Sequence, residues 1–150
     1  MTAWLLDHKA DPNRQCLIDF TPLSLAVESA PLSVIRLILS RGGDIRKGQL
    51  LHHAIERQSE TIEVLKLLIE EGAPVNATMY EDYPSLALFF FMGIGTPLHK
   101  ACELDKADVI RYLISQGADQ SIKDSNGRTP LECAQISNRW EVIEALKQGK

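Results

Sequence analysis

The polar and apolar positions of this chain fall into columns that recur along its length. Two stretches, 32–40 and 62–71, read as helices, and similar segments surround Val109 and Val142. Aligned with one another, they place Val34, Val64, Val109 and Val142 in one column and Ile35, Leu65, Ile110 and Ile143 in the next. Ile38, Leu68, Leu113 and Leu146 follow, while Arg36, Lys66, Arg111 and Glu144 lie between. Apolar residues at i, i+1, i+4 and i+5 cover more of a helix than a single core-facing stripe. These helices are therefore expected to be covered on two sides, with the Arg36 column in solvent.

A shorter segment precedes each of them. Thr21-Pro22-Leu23-Ser24-Leu25-Ala26 is the first, and Gln49-Leu50-Leu51-His52-His53-Ala54 the second. Thr96-Pro97-Leu98-His99-Lys100-Ala101 and Thr129-Pro130-Leu131-Glu132-Cys133-Ala134 complete the set, the last two being 33 residues apart. A threonine directly before proline suits a helix N-cap with proline in the first turn. Gly117-Ala118-Asp119 and Asp124-Ser125-Asn126-Gly127-Arg128 fall between the last two openers. A pair of such helices cannot bury both faces alone, so successive pairs must stack.

The spacing also marks irregular places. Arg46 and Gln49 are three residues apart where the pattern has eight, so that connection should be tight. From Asn76 to Thr96 there are 20 residues, 12 more than the pattern, and the loop around Gln58 to Thr61 is two residues longer. At the start, Trp4, Leu5 and Leu6 fall in the columns of Tyr112, Leu113 and Ile114, one turn into a second helix. Lys9 stands where the other repeats place a glycine able to take a left-handed cap. This N-terminal end reads as unfinished. Either a preceding segment belongs there, or another molecule covers it, or a frayed half repeat serves as a lid. Lys147, in the column of Leu39, Ile69 and Ile114, reads as an end cap, which suggests a natural terminus there.

These openers, the 33-residue period and the Gly-Ala-Asp closer resemble the ankyrin repeat. The resemblance covers nearly the whole chain, as one domain: a half repeat at 1–20 and repeats at 21–48, 49–95, 96–128 and 129–150, with an enlarged loop at 77–95. It implies an all-α solenoid of stacked antiparallel helix pairs with short β-hairpin or loop connections. First helices should line its inner side and second helices its outer side. It also implies that His99, with His52 as its equivalent, looks inward to the capping threonine and to backbone of a neighbouring repeat. The implied function is non-catalytic protein binding, as a scaffold or adaptor, through hairpin tips and inner helices. Carried over residue by residue, the candidates are Phe20, Glu28, Ser29, Glu56, Arg57, Glu103, Ser125, Asn126 and Arg128. The alternative is a regulatory or truncated segment of a longer multidomain ankyrin protein, without activity of its own.

The enlarged loop concentrates three of the four phenylalanines and two of the three tyrosines. Tyr80, Tyr83, Phe89, Phe90 and Phe91 suit a partner contact, since aromatic residues are enriched at interface cores. The other reading folds the loop back over the groove left by the short Arg46–Gln49 connection.

Candidate chemistry changes this picture little. His52 and His53 are adjacent and should face opposite ways, so they do not form an i, i+4 metal clamp. Cys102 and Cys133 read as small packed residues, and a Cys102–His99 nucleophile lacks an orienting acid and an oxyanion hole. No phosphate-binding loop, HExxH or GxSxG motif occurs. The expectation is a protein that is not an enzyme and needs no metal or cofactor. A net charge of −4, with 24% charged residues, offers no basic surface for nucleic acid or acidic lipid. The apolar run from Leu86 to Ile94 is under half a membrane span. Three dispersed cysteines and the lack of a secretory leader suggest an intracellular protein, cytoplasmic or nuclear.

Overall fold

The computed structural model describes residues 1–16, 19–79 and 94–148. They form two compact units, Met1–Ala73 and Pro74–Lys150. The described residues are helical, with turns and bends between helices and no strand.

The first unit holds α1 (Thr2–Asp7), α2 (Pro22–Ser29), α3 (Leu32–Ser40), α4 (Leu50–Glu56) and α5 (Thr61–Glu70). Thr21 caps α2, its side chain accepting from the Ser24 N–H at 3.1 Å while Ser24 Oγ accepts from the Thr21 N–H at 3.1 Å. Two donors left over at a helix start are thereby satisfied reciprocally. Pro22 takes the first helical position, where a missing N–H costs nothing. Helix α2 packs on α3 and on α4, α4 packs on α5, and α1 rests on α3.

The second unit holds α6 (Pro97–Glu103), α7 (Ala107–Ser115), α8 (Pro130–Ile136) and α9 (Trp140–Gln148). Thr96 and Thr129 each close a capping box, with His99 and Glu132 as their partners. Helix α6 packs on α7 and α8, and α9 packs on both α7 and α8. In both units, then, antiparallel helix pairs stack side by side, as expected of a repeat solenoid.

The columns read from the sequence are the core. Val64, Val109 and Val142 are buried, as are Ile35, Leu65, Ile110, Ile38, Leu68, Leu113 and Leu146. Val34 and Ile143 are only half-buried. Arg36, Lys66 and Arg111 are exposed, and Glu144 is half-buried.

Short hairpin or loop connections were expected between repeats, and among the described residues the connections are turns tied at a few points. Asp124 N–H donates to the Arg128 carbonyl at 2.8 Å, and Cys16 N–H to the Phe20 carbonyl at 3.0 Å. Single closures of this kind are too short to propagate a ladder. The bends are held by asparagine instead. Asn13 donates to the Gly42 carbonyl at 2.7 Å and accepts from Asp44 N–H at 2.6 Å. Asn76 does the same in the second unit, with Gly117 at 3.2 Å and Asp119 at 2.8 Å.

The tight connection at 44–48 is completed by Gly48, at φ +75°. A Cβ there would collide with Ser24 Oγ and lie 2.8 Å from Thr21 Oγ1. Lys9 takes the left-handed conformation expected of its position, with φ 67°, where Gly42, Gly72 and Gly117 have φ 89°, 95° and 88°. The ends of the enlarged loop meet where Met79 N–H donates to the Gly95 carbonyl at 3.3 Å.

Candidate functional site

In the first unit, the first helices α2 and α4 set a group of side chains between them. The Phe20 ring packs on the His53 ring with centroids 4.4 Å apart and planes inclined at 51°. Glu56 follows His53 by three residues, one turn along α4, and its carboxylate lies 3.8 Å from His53 Nδ1. Glu28 reaches the same place from α2. One ligand atom each from Glu28, His53 and Glu56 lie within 4.8 Å of one another. Counted from the start of each helix, Glu28 and Glu56 are the same column of successive repeats. His53 is buried, Glu56 half-buried and Glu28 exposed. Ser29, exposed beside Glu28, donates to the Leu25 carbonyl at 3.4 Å.

Arg57, named as a partner contact, is placed inside the fold. Its Nη1 donates to the carbonyls of Val27 at 2.7 Å and Ala30 at 3.0 Å, and Nε donates to Ser59 at 3.1 Å. The guanidinium thus caps the C-terminal end of α2, where carbonyls lack partners and a positive charge meets the negative end of the helix dipole. With its side chain 5% exposed, it has no face left for another molecule. A sequence pattern sees a charge in an exposed column; it does not see the empty carbonyls nearby.

In the second unit, Glu103 continues the glutamate column at the end of α6 and is exposed. Loss of hydration raises its carboxyl pKa, opposed by the positive charges of Lys100 and Arg128. Ser125 is engaged internally: its N–H donates to the Ile94 carbonyl at 2.9 Å, and its Oγ accepts from Ile94 N–H at 2.9 Å. Arg128 grips buried Asp124 with Nε at 3.0 Å and Nη2 at 2.7 Å. Burial works against the Asp124 anion, but bonds from the Arg128 side chain and backbone, the Arg128 charge and the Asn126 N–H hold its carboxyl below the usual range. Asn126 is exposed, its N–H donating to Asp124 Oδ1 at 2.9 Å. Tyr80, Tyr83, Phe89, Phe90 and Phe91 lie outside the described residues.

His99 does what the resemblance implies. Thr96 N–H donates to Nδ1 at 3.1 Å, which makes that nitrogen an acceptor and leaves the ring proton on Nε2. Nε2 then donates to the Arg128 carbonyl at 3.0 Å, one residue before the next cap. Burial pushes the His99 pKa down, while the bond to Arg128 and the Asp124 charge oppose the shift. The ring is a neutral structural tie. Ser24 plays the same part in the first unit, donating from Oγ to the Gly48 carbonyl at 2.7 Å.

Cys102 and Cys133 are poorly suited to nucleophilic work. Burial and the nearby Cys133 push the Cys102 thiol up to about 12. Burial raises Cys133 to about 11, with Arg128 opposing and Asp124 adding to the rise. A depression of about 350 Å³ between α7 and α9 is lined by Arg111, Ile114, Ser115, Ala145 and Gln148. Among the described residues Arg111 is its one titratable lining residue, so no acid–base pair of the described residues faces that space. Among the described residues, no helix is long and apolar enough to cross a membrane.

Sequence reasoning missed the company His53 keeps. Its adjacency to His52 says nothing of a ligand cluster; the relevant neighbours are Glu56, one turn on, and Glu28, one repeat back. The signal available was the column shared by Glu28 and Glu56.

Comparison with known proteins bears on the repeat pattern. Residues 51–150 match the family described as ankyrin repeats, in three copies. The chain is 31% identical over 133 residues to the B-cell lymphoma 3 protein homolog of Mus musculus, an alignment covering 85% of this chain and 26% of the relative. It is 28% identical over 119 residues to the neurogenic locus Notch protein of Drosophila melanogaster, covering 79% of this chain and 4% of that protein. It is 42% identical over 94 residues to the ARF GTPase-activating protein Git of Drosophila melanogaster, covering 63% and 11%. The chain thus spans about a quarter or less of the length of these relatives, each of which is a larger protein with an ankyrin-like region. Repeats of this kind are generally protein-binding modules. With its capped first helices, stacked pairs and matched repeats, this chain belongs to the ankyrin-repeat family.

Proposed function

We propose that this chain is a non-catalytic protein-binding module whose contacts come from the first helices and the connections between repeats. The observation that carries the reading is the repeated glutamate column. Glu28 and Glu103 are exposed and Glu56 is half-buried, although the helices bearing them are otherwise anchored by buried leucines and isoleucines. Within each unit, a helix pair that presents such an acidic group from a packed frame loses little ordering entropy on docking. It suits a partner segment carrying lysine or arginine. Phe20 and Ser29 add to this surface in the first unit, and Asn126 in the second. Ser125 and Arg128 contribute mainly by holding their turn. Tyr80, Tyr83, Phe89, Phe90 and Phe91 are proposed as further contacts. In this reading the protein is not an enzyme, binds no nucleic acid and associates with no membrane. Its compartment is proposed as intracellular, cytoplasmic or nuclear. Trp4 and Leu5, both exposed, are a further place for association.

A second reading is favoured by the small share of each relative that the chain covers. Here the repeats are the regulatory or docking region of a longer protein whose activity lies elsewhere. Photo-crosslinking separates a binding module from an inert frame. A crosslinking residue at Glu28, Glu103 or Asn126 should capture protein in native extract, whereas one at Arg36, Lys66 or Arg111 should not. Equal capture from both sets, or turnover of a substrate by the purified chain, would defeat the proposal.

A further inference from the structure

We propose that Glu28, His53 and Glu56 form a binding site for one divalent cation of the zinc class. Their donor atoms lie within 4.8 Å of one another, and the Glu56 carboxylate is 3.8 Å from His53 Nδ1. A tetrahedral ion with ligand bonds of 2.0–2.2 Å sets its ligands roughly 3.3–3.6 Å apart. The cluster therefore closes on an ion by a movement of about 1 Å or less, within the reach of side-chain rotation. The two groups that must move are the two on the open side. Glu28 is exposed and Glu56 half-buried, both on flexible stems.

The group that need not move is fixed. The His53 side chain is only 8% exposed, and its ring is held against Phe20. A placed imidazole with two mobile carboxylates is a preformed half-site that a cation completes.

The donor set selects the ion. Calcium and magnesium take oxygen ligands, and magnesium keeps much of its water; one nitrogen with two carboxylates suits zinc or cobalt instead. Three protein ligands leave a position for water. The second unit provides an internal contrast. Its glutamate in the same column, Glu103, has Lys100 at the position of His53, so a positive charge stands where a ligand would be needed.

Titration of the purified chain with zinc chloride, followed by calorimetry and by thermal melting, tests the site. One ion per chain should bind, raise Tm, and compete at least tenfold better than calcium or magnesium. Glu28→Gln and Glu56→Gln should each weaken binding tenfold or more, and His53→Gln should abolish it. If His53→Gln fails to fold, the two glutamine variants still decide the matter, since Glu28 is exposed. Absence of binding at millimolar zinc would overturn the proposal. So would unchanged affinity in both glutamine variants, or strong thiolate-to-metal absorption with cobalt, which would place the ion on cysteine. The measurement involves no protein partner, so its failure leaves the protein-binding reading intact.

Discussion

The two units solve the same joint with different parts. In each, a side chain at the fourth position of a helix opener donates to the carbonyl just before the next helix begins. In the first unit this is Ser24 to Gly48, at 2.7 Å. In the second it is His99 to Arg128, at 3.0 Å. The serine suffices where the 44–48 connection is cut down, and a Cβ on Gly48 would run into both Ser24 and Thr21. The imidazole spans to its carbonyl across a full-length connection tied between Asp124 and Arg128. The outer helices differ too. Helices α7 and α9 pack directly, whereas α3 and α5 are not among the closely packed pairs of the first unit. The first unit therefore leans harder on its inner contact between α2 and α4. A repeat is defined by where its tie must reach, and the residue follows from that distance.

Gly48→Ala should break the comparison most severely. The substitution adds a Cβ at positive φ and drives it into Ser24 Oγ, so strain and overpacking together should cost about 3 kcal/mol. Gly127→Ala is the control: its φ is 77°, but nothing lies within 4 Å of a new Cβ. Urea denaturation of the two variants should show the Gly48 change to be clearly worse. Equal losses would mean that the short connection relaxes freely.

His99→Gln comes next, at about 1–2 kcal/mol near neutral pH from lost ring hydrogen bonds. Its sharper signature is pH dependence. The folded pKa of His99 lies below its ordinary value of 6.5. As pH falls through 6.5, the unfolded chain takes up the proton first and stability drops until the folded pKa is passed. His99→Gln should flatten that limb of the stability curve. Asp124, whose folded pKa is lowered, contributes stability above its unfolded value of 3.8 and loses it at more acid pH, so the two limbs are separable. An unchanged slope between pH 7.5 and 5.5 in the variant would assign the effect elsewhere.

Lys9→Gly is the smallest test. Relief of a left-handed lysine, offset by the greater freedom of glycine in the unfolded chain, should leave a gain of about 0.5 kcal/mol. A loss in thermal melting would show that the lysine side chain contributes contacts of its own.

Much of this was legible in advance because a repeat displays the same requirement several times. Val64, Val109 and Val142 need not be located in space to be recognised as core; the column declares them, and the structure buries each one. Thr21, Thr96 and Thr129 declare their caps the same way. Single-occurrence features were hidden. Arg57 sits in a column that elsewhere faces solvent, yet it turns inward because the end of α2 offers it unpaired carbonyls. Ser125 looked like a turn tip and instead pairs with Ile94 across 31 residues.

The sequence by itself determined the helices, the threonine caps at their starts, their order and most of the faces they bury, because hydrophobic period and N-capping chemistry act within a few residues of chain. Only the tertiary structure decided which polar groups meet. Glu28 and His53 are 25 residues apart, and no local rule brings them together; the stacking of α2 on α4 does. Direction and reach in space belong to the packed pair of helices, and a single helix carries no record of them.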